Sequence, residues 1–323
     1  MKKIKVSFIY HKNNIFLSGK HFDNTYYHFY INALKRNQLL DVSYIPTDDV
    51  FDASVLKDTS DIILLWENSE FGMPNELLGL DELDIPVITK VSDPFRASKS
   101  IKLHKKWKID HYFWMCHEDF FYDLYPKKFK YKTIIFGLES SLYENVKPFD
   151  ERIKNKILLT GAIGNSKFLS RIINDIRRPK WNAYRFYYLR TLCSKYHGIS
   201  YSPISSHDYV NDRYLKLLEQ YSASIAASSY SPNIKYLENS AAGCLTFMEI
   251  TKKNRGAYFG FKDDETAIFI NQQNYKEKFD EFLSNPSNPK WEKIAKAGRE
   301  YSMKNLNNDK AVDSLAELMS NYV

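Results

Sequence analysis

Residues 224–249 read SIAASSYSPNIKYLENSAAGCLTFME. Ser224–Ala227 is a short apolar run of the kind a buried parallel strand shows. Ser228–Asn233 is a loop by composition, and Pro232 suits the opening of a helix. Leu237, Ala241 and Ala242 then recur at helical spacing, Gly243 closes the helix, and Cys244–Met248 resumes as strand. Strand, loop, helix and strand in that order place the loop and the helix start at the carboxyl edge of a parallel sheet, where open α/β folds bind ligands. Asn233, Lys235 and Glu238 surround that helix start. The unpaired N–H groups of a first helical turn attract phosphate, and Lys235 adds a point charge to them. Glu238, one turn in, stands where a carboxylate can accept two hydroxyls of a ribose. The plainer alternative is that Glu238 caps its own helix and Lys235 is solvated.

Upstream, Lys156–Thr160 reads as a strand that runs into Gly161-Ala162-Ile163-Gly164-Asn165-Ser166-Lys167. A glycine-containing loop after a strand lets backbone N–H groups approach a diphosphate without interference from Cβ. Ser205–Tyr209 precedes a helix over Asp212–Gln220, and Tyr209 or His207 is placed to flank a nucleobase. Downstream, Arg255–Phe261 and Ala267–Ile270 read as closing strands. Tyr275–Leu283, Trp291–Asn305 and Lys310–Tyr322 read as helices.

The N-terminal half alternates in the same way. Strands are expected at Ile4–Tyr10, Val42–Ile45, Ile62–Trp66, Pro86–Lys90, Tyr112–Cys116 and Thr133–Phe136, with helices over Thr25–Asn37 and Ala97–Lys108. Alternation of this kind predicts a Rossmann-like domain. The polar stretch Asn145–Asn155, with Pro148, is the expected linker. No internal repeat of fixed period is present, which argues against a solenoid.

The chain has 323 residues, 44% hydrophobic and 26% charged, with a formal net charge of +7. That length accommodates two ordinary domains, and the positive balance suits an anionic ligand or surface. Lys99–Lys108 has amphipathic spacing and reads as a solvated face or one resting on anionic lipid rather than as a nucleic-acid helix. Cys116, Cys193 and Cys244 are far apart and odd in number, so neither a metal site nor a disulfide framework follows, and a cytoplasmic setting is expected. The basic start has too short an apolar core for a signal peptide, and no stretch approaches 18 apolar residues.

The segment K-Y-L-E-N-S-A-A-G-C-L-T-F resembles the E-A-x-A-x-G element in the C-terminal domain of GT-B glycosyltransferases, and most closely its form in CgeB-like (spore maturation) glycosyltransferases. The resemblance implies two Rossmann-like domains facing a central cleft and a C-terminal helix crossing back to the first. It implies an N-terminal acceptor domain over 1–148, a nucleotide-sugar donor domain over 149–305 and the returning helix over 306–323. It gives Glu238 the donor ribose, and Lys167 a place near the donor phosphates. Tyr187-Tyr188-Leu189-Arg190 resembles the family's Y-P-L-R element and makes Arg190 a second phosphate contact. Ser92-Asp93 matches the first half of its S-D-x-H segment, with Phe95 where the histidine would stand, and Phe136–Glu139 resembles its P-x-G-x-D turn. Many retaining enzymes of this fold carry a second Glu eight positions before the first; here that position is Tyr230.

The implied reaction is metal-independent transfer of a sugar from a nucleotide sugar (UDP-, GDP- or other) to a glycan, protein or lipid-linked acceptor, with no permanently bound cofactor and no nucleic-acid partner. A peripheral contact with the inner face of an anionic membrane is compatible with it. An inverting reaction needs a base for the acceptor hydroxyl; Asp93, His21, and His117 or Glu118 are the candidates, each placed at the carboxyl edge of the first sheet. A nucleotide- or sugar-binding protein without turnover, or a nucleotide-sugar epimerase or hydrolase, remains an alternative on the same scaffold.

Overall fold

The computed structural model describes residues 2–14, 28–69, 72–164, 167–177, 183–203 and 212–323. The chain divides into two compact units, Met1–Phe136 with Asn308–Val323, and Gly137–Asn307. The division falls between Phe136 and Gly137, ahead of the 145–155 stretch expected to be the linker, which lies inside the second unit. That stretch is fastened there: the Arg152 guanidinium donates to the carbonyls of Lys147 and Ala242.

In the first unit, β1 (Ile4–His11), α1 (His28–Arg36), β2 (Leu40–Thr47), β3 (Val50–Asp52), β4 (Ile62–Leu65), β5 (Glu76–Leu78), β6 (Val87–Lys90), α2 (Ala97–Lys106), β7 (Ile109–Trp114), α3 (Glu118–Leu124) and β8 (Tyr131–Thr133) follow one another. The strands form a parallel sheet in the order β2-β1-β4-β6-β7-β8, with β3 and β5 paired apart from it. Ile62–Leu65 is buried throughout, as expected of a strand covered on both faces. In α2 the apolar positions Ala97 and Leu103 face inward, and Lys99, Lys102, Lys105 and Lys106 lie on the exposed side.

The second unit contains β9 (Ile153–Thr160), α4 (Phe168–Arg177), α5 (Ala183–Phe186), α6 (Tyr188–Cys193), β10 (Ile199–Ser202), α7 (Asp212–Leu218), β11 (Tyr221–Ala226), α8 (Lys235–Ala241), β12 (Leu245–Glu249), β13 (Ile268–Ile270), α9 (Tyr275–Ser284) and α10 (Pro289–Asn305). Its sheet is parallel in the order β10-β9-β11-β12-β13. One core joins Ile157, Leu159, Ile225 and Phe247 of the strands to Phe279, Phe282 and Trp291 of α9 and α10. The last helix, α11 (Asn308–Ser320), belongs to the first unit, where Arg36 pairs with Asp309 at 2.9 Å and Lys132 with Glu317 at 2.8 Å.

One expected strand is corrected. Arg255–Phe261 contains a single 3₁₀ turn, Gly256–Phe259. Arg255 and Gly260 both take positive φ (56° and 78°), which an extended strand excludes. The Asn254 side chain holds the turn, accepting from the N–H groups of Thr251 and Gly256 and donating to the Ser228 carbonyl. The sequence reading also did not include β10, whose four residues are all half-buried and lack a clear alternation.

Leu315 of α11 is fully buried in the first unit. Leu315→Ala is expected to lower unfolding stability by about 2–5 kcal/mol, as large-to-small core changes do. Denaturant titration measures it, and a loss below about 1 kcal/mol would show that α11 is dispensable to that core.

Candidate active site

In each sheet the chain turns back on itself next to its first strand. In the second unit β10 adds to one side of β9 and β11 to the other, so the switch point lies between the ends of β9 and β11. Ligands of open α/β sheets bind at such points. Thr160 and Gly161 stand at one side of this one, Ala226 and Ala227 at the other.

Two cations meet there. Arg190, at the end of the first turn of α6, is 2% exposed. Its Nε and Nη2 donate to the Ala227 carbonyl (3.0 and 2.6 Å) and its Nη1 to that of Ala162 (3.1 Å), so it bridges the two strand ends. Two of its five N–H groups remain. Lys235, the first residue of α8, donates from Nζ to Thr160 Oγ1 (2.9 Å) and Tyr214 Oη (3.0 Å), with the ammonium 4.5 Å from the Tyr214 ring centroid. Among the described residues, every hydrogen-bond acceptor of these two cations is a neutral oxygen.

Gly161 sits between them at φ +93°; a Cβ there would lie 3.0 Å from Lys235 Cε and 3.3 Å from Arg190 Nη1. The position therefore needs glycine both for its backbone and for the space the cations occupy. Three of the residues expected around a diphosphate, Gly161, Arg190 and Lys235, are thus neighbours. Lys167 is exposed, just ahead of α4. Tyr209 lies outside the described residues.

The start of α8 differs from expectation. Its helical residues begin at Lys235 rather than after Pro232, and its first-turn N–H groups are already used. Asn233 Oδ1 accepts from Lys235 N, the Asn233 carbonyl from Tyr236 N, and the Ile234 carbonyl from Leu237 N and Glu238 N. Asn233 shapes the turn, and the positive charge at this place comes from side chains rather than from a free helix end.

Glu238 is 2% exposed, and no described residue donates a hydrogen bond to its carboxylate. Burial pushes its carboxyl up from the ordinary value, with Lys235 opposing; burial pushes the Lys235 ammonium down, with Glu238 opposing. Near Arg190 lies a group the sequence reading missed. Glu249, at the end of β12, accepts from Ser229 Oγ at 3.2 Å. Burial pushes its carboxyl up to about 7, against the Ser229 hydrogen bond and the Arg190 charge. The signal was the lone acid closing the apolar strand Leu245–Glu249.

At the carboxyl edge of the first sheet, Asp93 follows β6 and is exposed, its side chain making no cap to the 3₁₀ turn Pro94–Arg96. His117 follows β7 and caps α3, its Nδ1 accepting from Asp119 N at 3.2 Å. His21 lies outside the described residues. A second missed group is the buried pair Glu67 and Lys90, 3.5 Å apart at the ends of the adjacent strands β4 and β6. Ser92 donates to Glu67 Oε1 at 3.2 Å, Ser69 donates to the same oxygen, and Lys90 lies 4.7 Å from the Trp66 ring. Opposite charges ending two neighbouring apolar strands were the signal for it. Among the described residues, no three His, Cys, Asp or Glu side chains gather as a metal site would need.

No family model matches the chain, and no curated protein does. Solved structures do. A glycosyltransferase from Rickettsia africae ESF-5 superposes with a TM-score of 0.58 at 13% identity, covering 100% of this chain and 99% of its own. An alpha-glucosyltransferase in complex with UDP-glucose and DNA containing an abasic site gives 0.58 at 10% identity, covering 98% and 99%. Anabaena HepE in complex with UDP and glucose gives 0.53 at 10%, covering 98% and 100%. The fold is GT-B. At these identities the likeness is one of architecture: two Rossmann-like units, each on a parallel sheet, in a GT-B chain.

The raised Glu249 carboxyl has a defined pH consequence. An ordinary glutamate titrates near 4.5, whereas this one keeps its proton in the folded chain up to about 7. Its contribution to stability is therefore present at low pH and lost as pH rises through that window. Glu249→Gln removes the loss, so the variant's stability relative to the parent is expected to rise by about 2.5 kcal/mol between about pH 5 and about pH 8. Chemical denaturation across that range measures it; a difference independent of pH would show that Glu249 is ionised throughout.

Proposed function

We propose that this protein is a glycosyltransferase that moves a sugar from a nucleoside-diphosphate sugar to a hydroxyl acceptor, and that it belongs with the CgeB-like enzymes. The carrying observation is the pair of buried cations, Arg190 and Lys235, held at the switch point of the second sheet by neutral oxygens beside Gly161. Buried charge is costly unless it is compensated, and a diphosphate supplies the opposite charge where a Gly-only position leaves room for it. The GT-B fold, shared with structures that hold UDP or UDP-glucose, supports the same reading.

In the reaction the bond from the sugar's anomeric carbon to the diphosphate oxygen breaks as a bond to the acceptor oxygen forms. Negative charge grows on the departing diphosphate, where Lys235 and Arg190 stabilise it without a protein-bound metal. Glu238, buried and without a hydrogen-bond donor among the described residues, takes the two ribose hydroxyls, which supply what its carboxylate needs. Asn233 orients the start of α8, Lys167 reaches the phosphates from outside, and Tyr209 flanks the base. The acceptor proton goes to Asp93, whose carboxylate is exposed at the end of β6 and is not used as a cap; His117 already serves α3, and His21 is the other candidate.

A thermal-shift panel of UDP, GDP, ADP, dTDP and CMP tests the donor reading, because a ligand that binds only the folded chain raises its melting temperature. A diphosphate is expected to stabilise the chain more than CMP does. Glu238→Ala should weaken the binding of that nucleotide, and an unchanged Kd would remove the ribose role. Lys235→Ala is expected to lower kcat by about 10²–10³ while binding changes less, the pattern of a group acting on developing charge. Loss of fold rather than of turnover would make the lysine structural. Incubation with nucleotide sugar alone, then with glycan, protein, lipid-linked and DNA acceptors, separates the activities. Release of nucleotide or isomerised sugar without acceptor would identify a hydrolase or epimerase, and no turnover with any acceptor would favour a binding protein.

A further inference from the structure

Helix α4, Phe168–Arg177, presents an apolar face outward. Phe168, Leu169 and Ile176 are 70%, 73% and 76% exposed, and Ile172 and Ile173 are 40% and 48%. At about 100° per residue these five project onto one arc of about 140°. Contiguous exposed apolar faces of this kind mark docking surfaces.

The stretch of sequence that carries the face is basic. Residues 167–185 carry six Lys or Arg and one Asp, five of the chain's formal +7. Arg171 flanks the apolar arc with its guanidinium 4.3 Å from the Tyr184 ring centroid. The single acid, Asp175, is bound by Arg185 at 2.9 Å. Apolar side chains in the middle and cations at the margin match a surface that is apolar inside and anionic at its edge.

We propose that α4 is a docking helix for an anionic lipid surface, lying in the interface with Phe168, Leu169 and Ile176 in the acyl boundary and its cations among the headgroups. A second copy of the chain fits less well, because a symmetric pairing would set two strongly basic stretches against each other. A nucleic acid would leave the apolar arc without a partner, since its affinity comes from phosphate contacts. Helix α2, basic as well, lacks the second ingredient because Ala97 and Leu103 are turned into the first unit. This inference is independent of the donor reading: α4 follows the Gly161–Gly164 loop, but binding to lipid requires no turnover.

Sedimentation of the full chain with vesicles of phosphatidylglycerol and phosphatidylcholine, against phosphatidylcholine alone, tests it. The chain is expected to bind the anionic vesicles, and to bind them less as salt is raised. Leu169→Glu with Ile176→Glu should abolish binding. Arg171→Gln should weaken it roughly fivefold, the effect of one basic side chain near an anionic surface. Thermal unfolding of both variants should match the parent, because the changed residues are exposed. Equal binding to neutral vesicles, no binding to either, or binding retained by the double variant would overturn the proposal. So would a dimer, seen by sedimentation velocity, that the double variant converts to monomer; α4 would then be an interface between copies.

Discussion

The guanidinium of Arg190 ties the Ala162 carbonyl, after β9, to the Ala227 carbonyl, after β11, across the point where strand order reverses. Parallel strands diverge at a switch point because their connections leave in opposite directions, so the gap has no backbone ladder to close it. A buried arginine is suited to that position. Its planar fork reaches two carbonyls at once and remains charged despite burial, which lowers its pKa only from a very high starting value. Lys235 repeats the arrangement beside Gly161 with hydroxyls in place of carbonyls, and Tyr214 joins it to Thr160 through a 2.9 Å hydrogen bond. The positive charge of the site is therefore part of what holds the second sheet's open edge together.

The two sheets treat the same edge differently. In the first unit the charges at the strand ends answer each other: Glu67 and Lys90 pair, and Ser69 and Ser92 occupy the carboxylate. Such a network is satisfied internally and positions the loops around it. In the second unit the described hydrogen-bond acceptors of Arg190 and Lys235 are all neutral, and Glu238, whose charge favours the Lys235 ammonium, accepts no hydrogen bond from a described residue. One edge pairs its charges within itself, and the other holds its two buried cations on backbone carbonyls and hydroxyls. The folds of the halves are alike, and they differ in how the charges at their strand ends are paired.

Much of the fold was legible in the sequence because buried parallel strands are written as short apolar runs. KILLT, DIILLW and CLTFM each identify their strand, and the periodic helices α9 to α11 were equally plain. What misled was Arg255–Phe261, whose aromatic residues look like a strand while a buried Asn254 side chain and two positive-φ residues coil it into a turn. At the site, Lys235 and Gly161 were named from their places after strands and Arg190 from the resemblance at Tyr187–Arg190, but the partners that bring them together were not. Tyr214 and Thr160 are ordinary residues whose roles arise only when separate stretches meet. Glu249 and Glu67 were missed for a related reason: each is a single acid at the end of an apolar run, which reads as a boundary until its burial is known. The free helix end expected at α8 failed because Asn233 and Ile234 satisfy its N–H groups locally, a competition between cap and ligand that sequence spacing leaves open.

The same physics accounts for a fold shared at 13% identity or less. A parallel strand buried on both faces asks only for apolar residues of suitable size, which many sequences supply. The cations at the switch point bond to backbone carbonyls and hydroxyls, partners that any residue, or any Ser, Thr or Tyr, provides. Only a few positions are then demanding: a positive-φ glycine after the first strand of the second unit, a buried arginine able to span the gap, and a lysine opening the helix after β11. Their constraint is on geometry rather than on a run of neighbouring residues. The architecture can therefore persist while the sequence around it drifts, and such a site is read more surely from how its buried charges are partnered than from any linear motif.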